Sequence, residues 1–283
     1  MQPVTSIATA EEALRVFIPK TKKDHTYTLD GIKKLMDTLD NPQDKLKVIH
    51  VAGTSGKSST CYFIAQLLVS QGLKVGLSIS PHVDSITERA QINMASIYEE
   101  EYCLLFSEFL SLVNQSKTKP SYFEFLIAFA HWVFCKKRVD YAVIEVGLGG
   151  LLDSTNIVSR QDKICVITDI GLDHTGILGS TVEAITLQKA GIIKPNNTVF
   201  MNHQTNAIDK HVLYVCNKQN ATLKFAKNQN FALKNLPQFQ LRNLQLAFEV
   251  ANYGSQKNLG HKLSYKSIKS ADNLVIPARM EVL

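Results

Sequence analysis

The chain has 283 residues, 45% of them hydrophobic and 20% charged, with a formal charge of +6. That length holds one large or two modest domains, and the balance is that of a soluble globular protein. Lys and Arg are scattered rather than gathered in a block, which argues against nucleic acid and suits anionic phosphates; no apolar run reaches membrane-span length, and no signal-peptide core opens the chain.

Glu11–Phe17 is a short amphipathic stretch, and Leu29–Leu39 carries apolar residues at helical spacing until Asn41-Pro42 stops it. Val48, Ile49 and Val51 make one buried strand, followed by the small-residue turn Gly53, Thr54, Ser55, Gly56 and then Lys57 and Ser58. Ser59–Gln71 reads as a helix ended by Gly72, and Lys74–Ser80 as a second strand broken by Pro81. His82–Asn93 reads as a loop or hairpin, with Glu88-Arg89 inside it, and Tyr98–Val113 as a helix. Ser121–Arg138 is apolar almost all round, so a buried helix is expected, with Trp132 in the core. Tyr141–Val146 and Ile164–Thr168 are the third and fourth strands. Thr181–Ala190 is a helix stopped by Gly191; Thr198–Asn202, a helix around Ile208–Lys218, Thr222–Phe225 and a helix around Arg242–Tyr253 complete the alternation.

Near-continuous apolar strands between helices indicate an α/β fold, a mostly parallel sheet with helices on both faces. Ligands of such sheets sit beyond the carboxyl ends of the strands. Each informative polar group falls at such an end: Gly53–Ser58, Ser80-Pro81-His82, Glu145-Val146-Gly147, and Asp169 to His174. The strand, glycine turn and helix start at Lys47–Thr60 form a phosphate cradle, in which N–H groups converge, Lys57 adds a charge and a hydroxyl reaches Mg²⁺. The leading glycine of GxxxxGK[ST] would fall at Val51, so this cradle is shortened. Glu145 is the sharpest single position, because a carboxylate in an apolar strand costs several kcal/mol unless paired or coordinated. Lys189, at a helix end, reads by itself as a surface lysine complementing the dipole. The cysteines 61, 103, 135, 165 and 216 share no CxxC spacing and read as buried thiols of a reducing cytoplasm.

Together, IHVAGTSGKSS, SISPH with TER, SYFEF, AVIEVGLGGLLDSTNIV, GLDHTGILGSTVEAITLQKAGIIK and IPARME resemble the folylpolyglutamate synthase and dihydrofolate synthase family of the Mur ligase superfamily, from about Tyr27 to the last residue. The short cradle is that superfamily's form. The resemblance implies a P-loop NTPase-like Mur ligase central domain over residues 1–270, with 271–283 starting a linker toward a second domain. It implies an ATP-dependent cytoplasmic ligase that joins glutamate to a folate or dihydropteroate carboxylate through an acyl phosphate. Lys57 would then hold the β/γ-phosphates, and Ser58 or Ser59, Ser80 and Glu145 would hold Mg²⁺. His174 would hold a second Mg²⁺, and Lys189 would be the lysine that the family carbamylates. Gly53, Thr54, Ser55, Gly56, Asn243 and Arg279 would contact ATP, with the pterin near Pro81, His82, Tyr122 and Phe123.

The pattern departs from the family at Ser55 (usually Asn), Ser58 (Gly), Leu151 (Arg in bacterial members) and Ala278 (Gly, where a positive φ would strain Ala). The chain also stops before the family's second domain with its DGAHNP motif, so a separately encoded C-terminal half is an expected partner. An ATP- and folate-binding remnant without turnover, and another Mur-type amide ligase, are the alternatives.

Overall fold

The computed structural model describes residues 4–18, 28–229, 231, 233 and 236–277. The helices are α1 (Ile7–Leu14), α2 (Asp30–Thr38), α3 (Lys57–Val69), α4 (Glu99–Gln115), α5 (Tyr122–Lys136), α6 (Thr175–Leu178), α7 (Val182–Ala190), α8 (Asn206–Lys218), α9 (Gln238–Leu259) and α10 (Tyr265–Ser270). The strands are β1 (Val48–Ala52), β2 (Val75–Ser78), β3 (Gln91–Ile92), β4 (Ala95–Ser96), β5 (Tyr141–Glu145), β6 (Ile164–Ile167), β7 (Thr198–Met201) and β8 (Thr222–Phe225). They form one sheet in the order β4-β3-β2-β5-β1-β6-β7-β8. The six strands from β2 to β8 in that order pair in parallel, and only the short β3 and β4 at one edge pair antiparallel. The α/β reading therefore holds, and the segment read as loop or hairpin supplies the antiparallel edge.

Side chains alternate across a strand, so each strand feeds two cores. Ile49 and Val51 of β1, Tyr141 and Val143 of β5 and Ile164 and Val166 of β6 face α3 and α9. Val48, Ala142 and Ile144 face the opposite layer, built on α2, α4 and α5, and farther along Cys165 and Ile167 meet Ile208 and Val212 of α8. Ile268, Ala271 and Ile276 join the α3–α9 core.

α5 is buried because it is apolar all round, and a capping box at Ser121 and Glu124 fixes its start. Phe109 meets Phe125 and Phe129 edge-on at 5.0 and 5.4 Å, and Trp132, expected in the core, packs half-buried against the edge of this cluster. Each such pair adds about 1 kcal/mol beyond burial. Helix α9 runs farther than its apolar core suggests, from an N-cap at Pro237 to Gly260 at φ 78°. The alternation rule also decides where Glu145 points. It shares the parity of Tyr141 and Val143, so it emerges on the α3 side of the sheet, at its carboxyl rim.

Candidate active site

The turn after β1 is held from the next strand. Thr54 N and Ser55 N donate to the Asp169 carbonyl at 2.8 and 3.2 Å, and Thr168 Oγ1 donates to Ser55 O at 2.7 Å. Two amides of the shortened turn are thereby consumed. No side chain caps α3, whose N-cap is Gly56, so the N–H groups left to meet an anion are those of the first turn of α3. Lys57 Nζ lies over the turn, 3.3 Å from Thr54 O. Gly56 sits at φ 80° and presses on Asn243, whose Oδ1 would lie 2.5 Å from any Cβ there.

Glu145 is only 2% exposed. Its Oε1 accepts from Ser58 Oγ at 3.0 Å and its Oε2 from Ser80 N at 3.1 Å. Burial pushes its carboxyl up, opposed by the Lys57 charge and those two donors. Ser80 Oγ is buried beside it with no partner. One carboxylate and two hydroxyls are hard oxygen donors, the set that Mg²⁺ takes along with water and phosphate oxygens. Among the described residues no three His, Cys, Asp or Glu gather as an all-protein cage. Ser58 is the hydroxyl at this node; Ser59 is buried and accepts instead from Gln240 Nε2 at 3.2 Å.

Lys189 is brought to the turn from the other side. It is 3% exposed, and its Nζ donates to Gly53 O at 2.8 Å. Burial first, and then the Lys57 charge, lower its pKa to about 8. The end of α7 that carries it is tied to the glycine-rich loop after β5. Leu151 N donates to Gln188 O at 2.8 Å, Asn156 Nδ2 donates to Gly191 O at 3.1 Å, and Lys163 Nζ donates to Ile192 O at 2.7 Å. His174 lies on the same rim but is exposed, with its Nε2 3.5 Å from Asp173 Oδ1 and no hydrogen bond or ion pair to Glu145. Leu151 is half exposed at this rim.

Beside the rim opens a cavity of about 820 Å³, lined among others by Tyr122, Phe123, Leu148, Asp153, Ile177 and Gln188. Pro81, which is exposed, and His82 stand outside this lining. The Phe123 ring rests on Gly147 and carries the Arg89 guanidinium 5.5 Å from its centroid. Arg89 is buried, donates through Nη1 to Ile79 O at 2.9 Å and leaves Nε without a partner. Asp153, raised by burial, accepts from Leu148 N at 2.7 Å and from Thr155 N at 2.9 Å. Arg279 and Ala278 lie outside the described residues.

Several of these residues escape a reading of the sequence. Arg242 makes a bidentate ion pair with Asp169, whose carbonyl holds the turn. Gln240 joins Ser59 to Asn243, Asp153 lines the cavity, and Arg89 lies over the Phe123 ring that also lines it. Only Arg89 has a sequence signal, since Ser85-x-x-Glu88 is a capping box whose next residue is the arginine.

Residues 51–276 match the Mur ligase middle domain. The chain belongs to the Mur ligase family. Its relatives there are folylpolyglutamate and dihydrofolate synthases. The mitochondrial folylpolyglutamate synthase of Bos taurus is 43% identical over 163 residues, 56% of this chain and 28% of that protein. The folylpolyglutamate synthase of Candida albicans is 32% identical over 276 residues, 85% of this chain and 53% of that protein. A solved structure of E. coli FolC in complex with DHPP and ADP superposes with a TM-score of 0.83 at 25% identity, over 100% of this chain and 69% of that one. The Mur ligase chain thus spans between about a quarter and a half of the curated relatives it matches. No helix among its described residues is long and apolar enough to cross a membrane.

Proposed function

We propose that this chain binds ATP–Mg²⁺ and a folate or dihydropteroate, and takes part in ATP-dependent ligation of L-glutamate to that substrate's carboxylate. The observation that carries the reading is the Glu145–Ser58–Ser80 node facing the uncapped start of α3. A buried carboxylate with two hydroxyls beside a helix N-terminus suits a metal–phosphate complex better than any structural role.

Lys57 and the free N–H groups of α3 would hold the β/γ-phosphates, with Gly53, Thr54, Ser55, Asn243 and Arg279 around the nucleotide. Ser58, Ser80 and Glu145 would hold Mg²⁺, with His174 toward a second ion; when bound, the metal supplies Lewis-acid neutralisation of phosphate charge. Lys189, its pKa lowered to about 8, offers a neutral amine to CO₂. Addition gives the carbamate and releases one proton, turning a cation into an oxygen ligand. Transfer of the γ-phosphoryl group to the substrate carboxylate yields ADP and an acyl phosphate. The glutamate amine attacks that carbonyl, an amide forms, and phosphate and a proton leave. Tyr122 and Phe123 form an aromatic wall for the pterin in the cavity of about 820 Å³, with Pro81 and His82 at its approach. The same proposal divides the chain into an ATP-binding domain over 1–270 and a linker start over 271–283. It locates the protein in the cytoplasm and allows a C-terminal half supplied by another chain.

Calorimetric titration with ATP–Mg²⁺ and with dihydropteroate or tetrahydrofolate, followed by glutamate-dependent phosphate release, tests the proposal. Binding of both ligands with release supports the ligase. Binding of both without release supports a binding module, and failure to bind ATP refutes the reading.

A further inference from the structure

One peptide group, the link between Asp169 and Ile170, faces the turn after β1 and is held at both of its ends. Its carbonyl, on Asp169, accepts from Thr54 N at 2.8 Å and Ser55 N at 3.2 Å. Its N–H, on Ile170, donates to Gln204 Oε1 at 2.7 Å, and Gln204 Nε2 donates in turn to Thr168 O at 3.2 Å. The C=O and N–H of a trans peptide point opposite ways, so gripping the N–H fixes where the carbonyl aims. The Asp169 carboxylate is gripped as well. Arg242 of α9 donates to it through Nε at 3.0 Å and Nη2 at 2.8 Å, and Nη2 also donates to His203 O at 2.8 Å. Arg242 thereby ties together the segments just beyond β6 and β7. Next along the chain, Gly171 N donates to Thr54 Oγ1, which donates back to Gly171 O, each at 3.1 Å.

We propose that Arg242 and Gln204 are positioning residues for the bound triphosphate, acting through the Asp169–Ile170 peptide on the turn that aims the first amides of α3. This rests on the ATP reading above and adds to it two residues that touch no ligand. Both side chains of the Arg242–Asp169 pair are 39% exposed, and an ion pair so open to water adds little to folding stability. Its forked geometry supplies direction instead. Direction is what an anion site built from backbone amides needs, because misaimed N–H groups lose their hold on the phosphates. Rotation of the Asp169–Ile170 peptide would release Thr54 N and Ser55 N together and unfasten the residues that lead into Gly56. Asn243, the next residue of α9, lies against Gly56 itself, so consecutive side chains about 100° apart on one helix steady both ends of the turn. Direct contact of Arg242 with phosphate is the rival role. Against it, Nε and Nη2 are already spent on Asp169 and on His203 O.

The test follows Mg²⁺–ATP and Mg²⁺–tripolyphosphate by titration calorimetry, and amide exchange at Thr54 and Ser55 by NMR, on the whole chain. R242M, D169N and Q204A are each expected to weaken both ligands about 5-fold, the scale of coupling within one hydrogen-bonded network. Exchange at the two amides is expected to quicken by a similar factor, and dihydropteroate binding to stay at the wild-type value. The double variant R242M/D169N is expected to bind no more weakly than R242M, since each change removes the same pair. Unchanged affinity and exchange in R242M and Q204A reduce the contacts to surface bonds and refute the proposal. Weaker binding in R242M with equal or tighter binding in D169N makes Arg242 a direct phosphate ligand and refutes it too. Loss of ATP with tripolyphosphate retained makes Arg242 a contact to the nucleoside, and a loss shared equally by dihydropteroate marks general loosening; both refute it. A wild type that binds neither phosphate ligand overturns the ATP reading, and with it the positioning role.

Discussion

Gly56 and Gly72 bracket α3 with almost the same backbone conformation, φ 80° and 82°, and differ in what surrounds them. A Cβ on Gly72 would meet nothing within 4 Å, whereas one on Gly56 would stand 2.5 Å from Asn243 Oδ1. Alanine at Gly72 therefore carries the left-handed strain alone, about 1 kcal/mol. Alanine at Gly56 carries that strain and must also push Asn243 away, breaking its bond to Gln240 for about 1 kcal/mol more. We expect G72A to lose about 1 kcal/mol in urea unfolding and G56A roughly 2–3 kcal/mol. ATP affinity should stay near wild type in G72A and fall at least about 10-fold in G56A, because the N–H groups of α3 are aimed by this turn. N243A alone should cost about 1 kcal/mol, and adding it to G56A should cost little more, because that bond is already broken there. If G56A is no less stable than G72A and binds ATP normally, the clamp between α9 and the phosphate turn has no energetic weight.

Two further predictions bear on buried charges. E145Q keeps the size of the side chain and offers one acceptor oxygen where Ser58 Oγ and Ser80 N now find two; relief of the buried charge offsets the lost bond, so stability should change by no more than about 1–2 kcal/mol. ATP titrated with and without Mg²⁺ should show a metal effect in the wild type and none in E145Q, and a retained metal effect would refute the node. Lys163 is fully buried between the carbonyls of Val158 and Ile192, at 3.0 and 2.7 Å, and burial lowers its pKa from 10.5 to about 8. The unfolded chain holds that proton more tightly, so the wild type gains stability as pH rises from about 8 toward 10.5, and K163M lacks this gain. The difference between the two should widen by about 2 kcal/mol between pH 7.5 and 9.5, measured by urea unfolding; parallel pH profiles would refute it.

Much of the sheet was legible because parallel strands buried on both faces leave apolar runs with little else in them. β2, β5 and β6 fall within the runs that mark them, β1 runs one residue past Val51, and Thr181 caps α7 where the helix was expected to begin. Boundaries moved where capping outweighs periodicity. α3 begins at Lys57, two residues before Ser59, where the helix was expected to start, since Gly56 in the left-handed region starts the helix. α1 ends at Leu14 and continues as a tight turn through Phe17, so the amphipathic Glu11–Phe17 stretch straddles two elements. The two-residue strands β3 and β4 and the four-residue α6 have too few residues for a period to show.

The site was legible to the extent that its residues sit at strand ends, and illegible where it depends on which helix lies across from which turn. Glu145 could be singled out because its charge contradicts its apolar surroundings, and strand alternation then fixes the face on which it emerges. That its partner is Ser58 and not Ser59 follows from helical phase: one residue turns 100°, which aims Ser58 at the sheet rim and Ser59 at Gln240 of α9. The hydroxyl at Ser58, where the resembled family has glycine, therefore lies in the one direction from which it can meet the carboxylate. A departure from the resembled family's pattern thus supplies a donor to a buried charge. The same reasoning gives Asn243 its weight: its clamp on Gly56 runs through Gln240, three residues earlier on α9, and neither residue is singular until α9 is laid against α3.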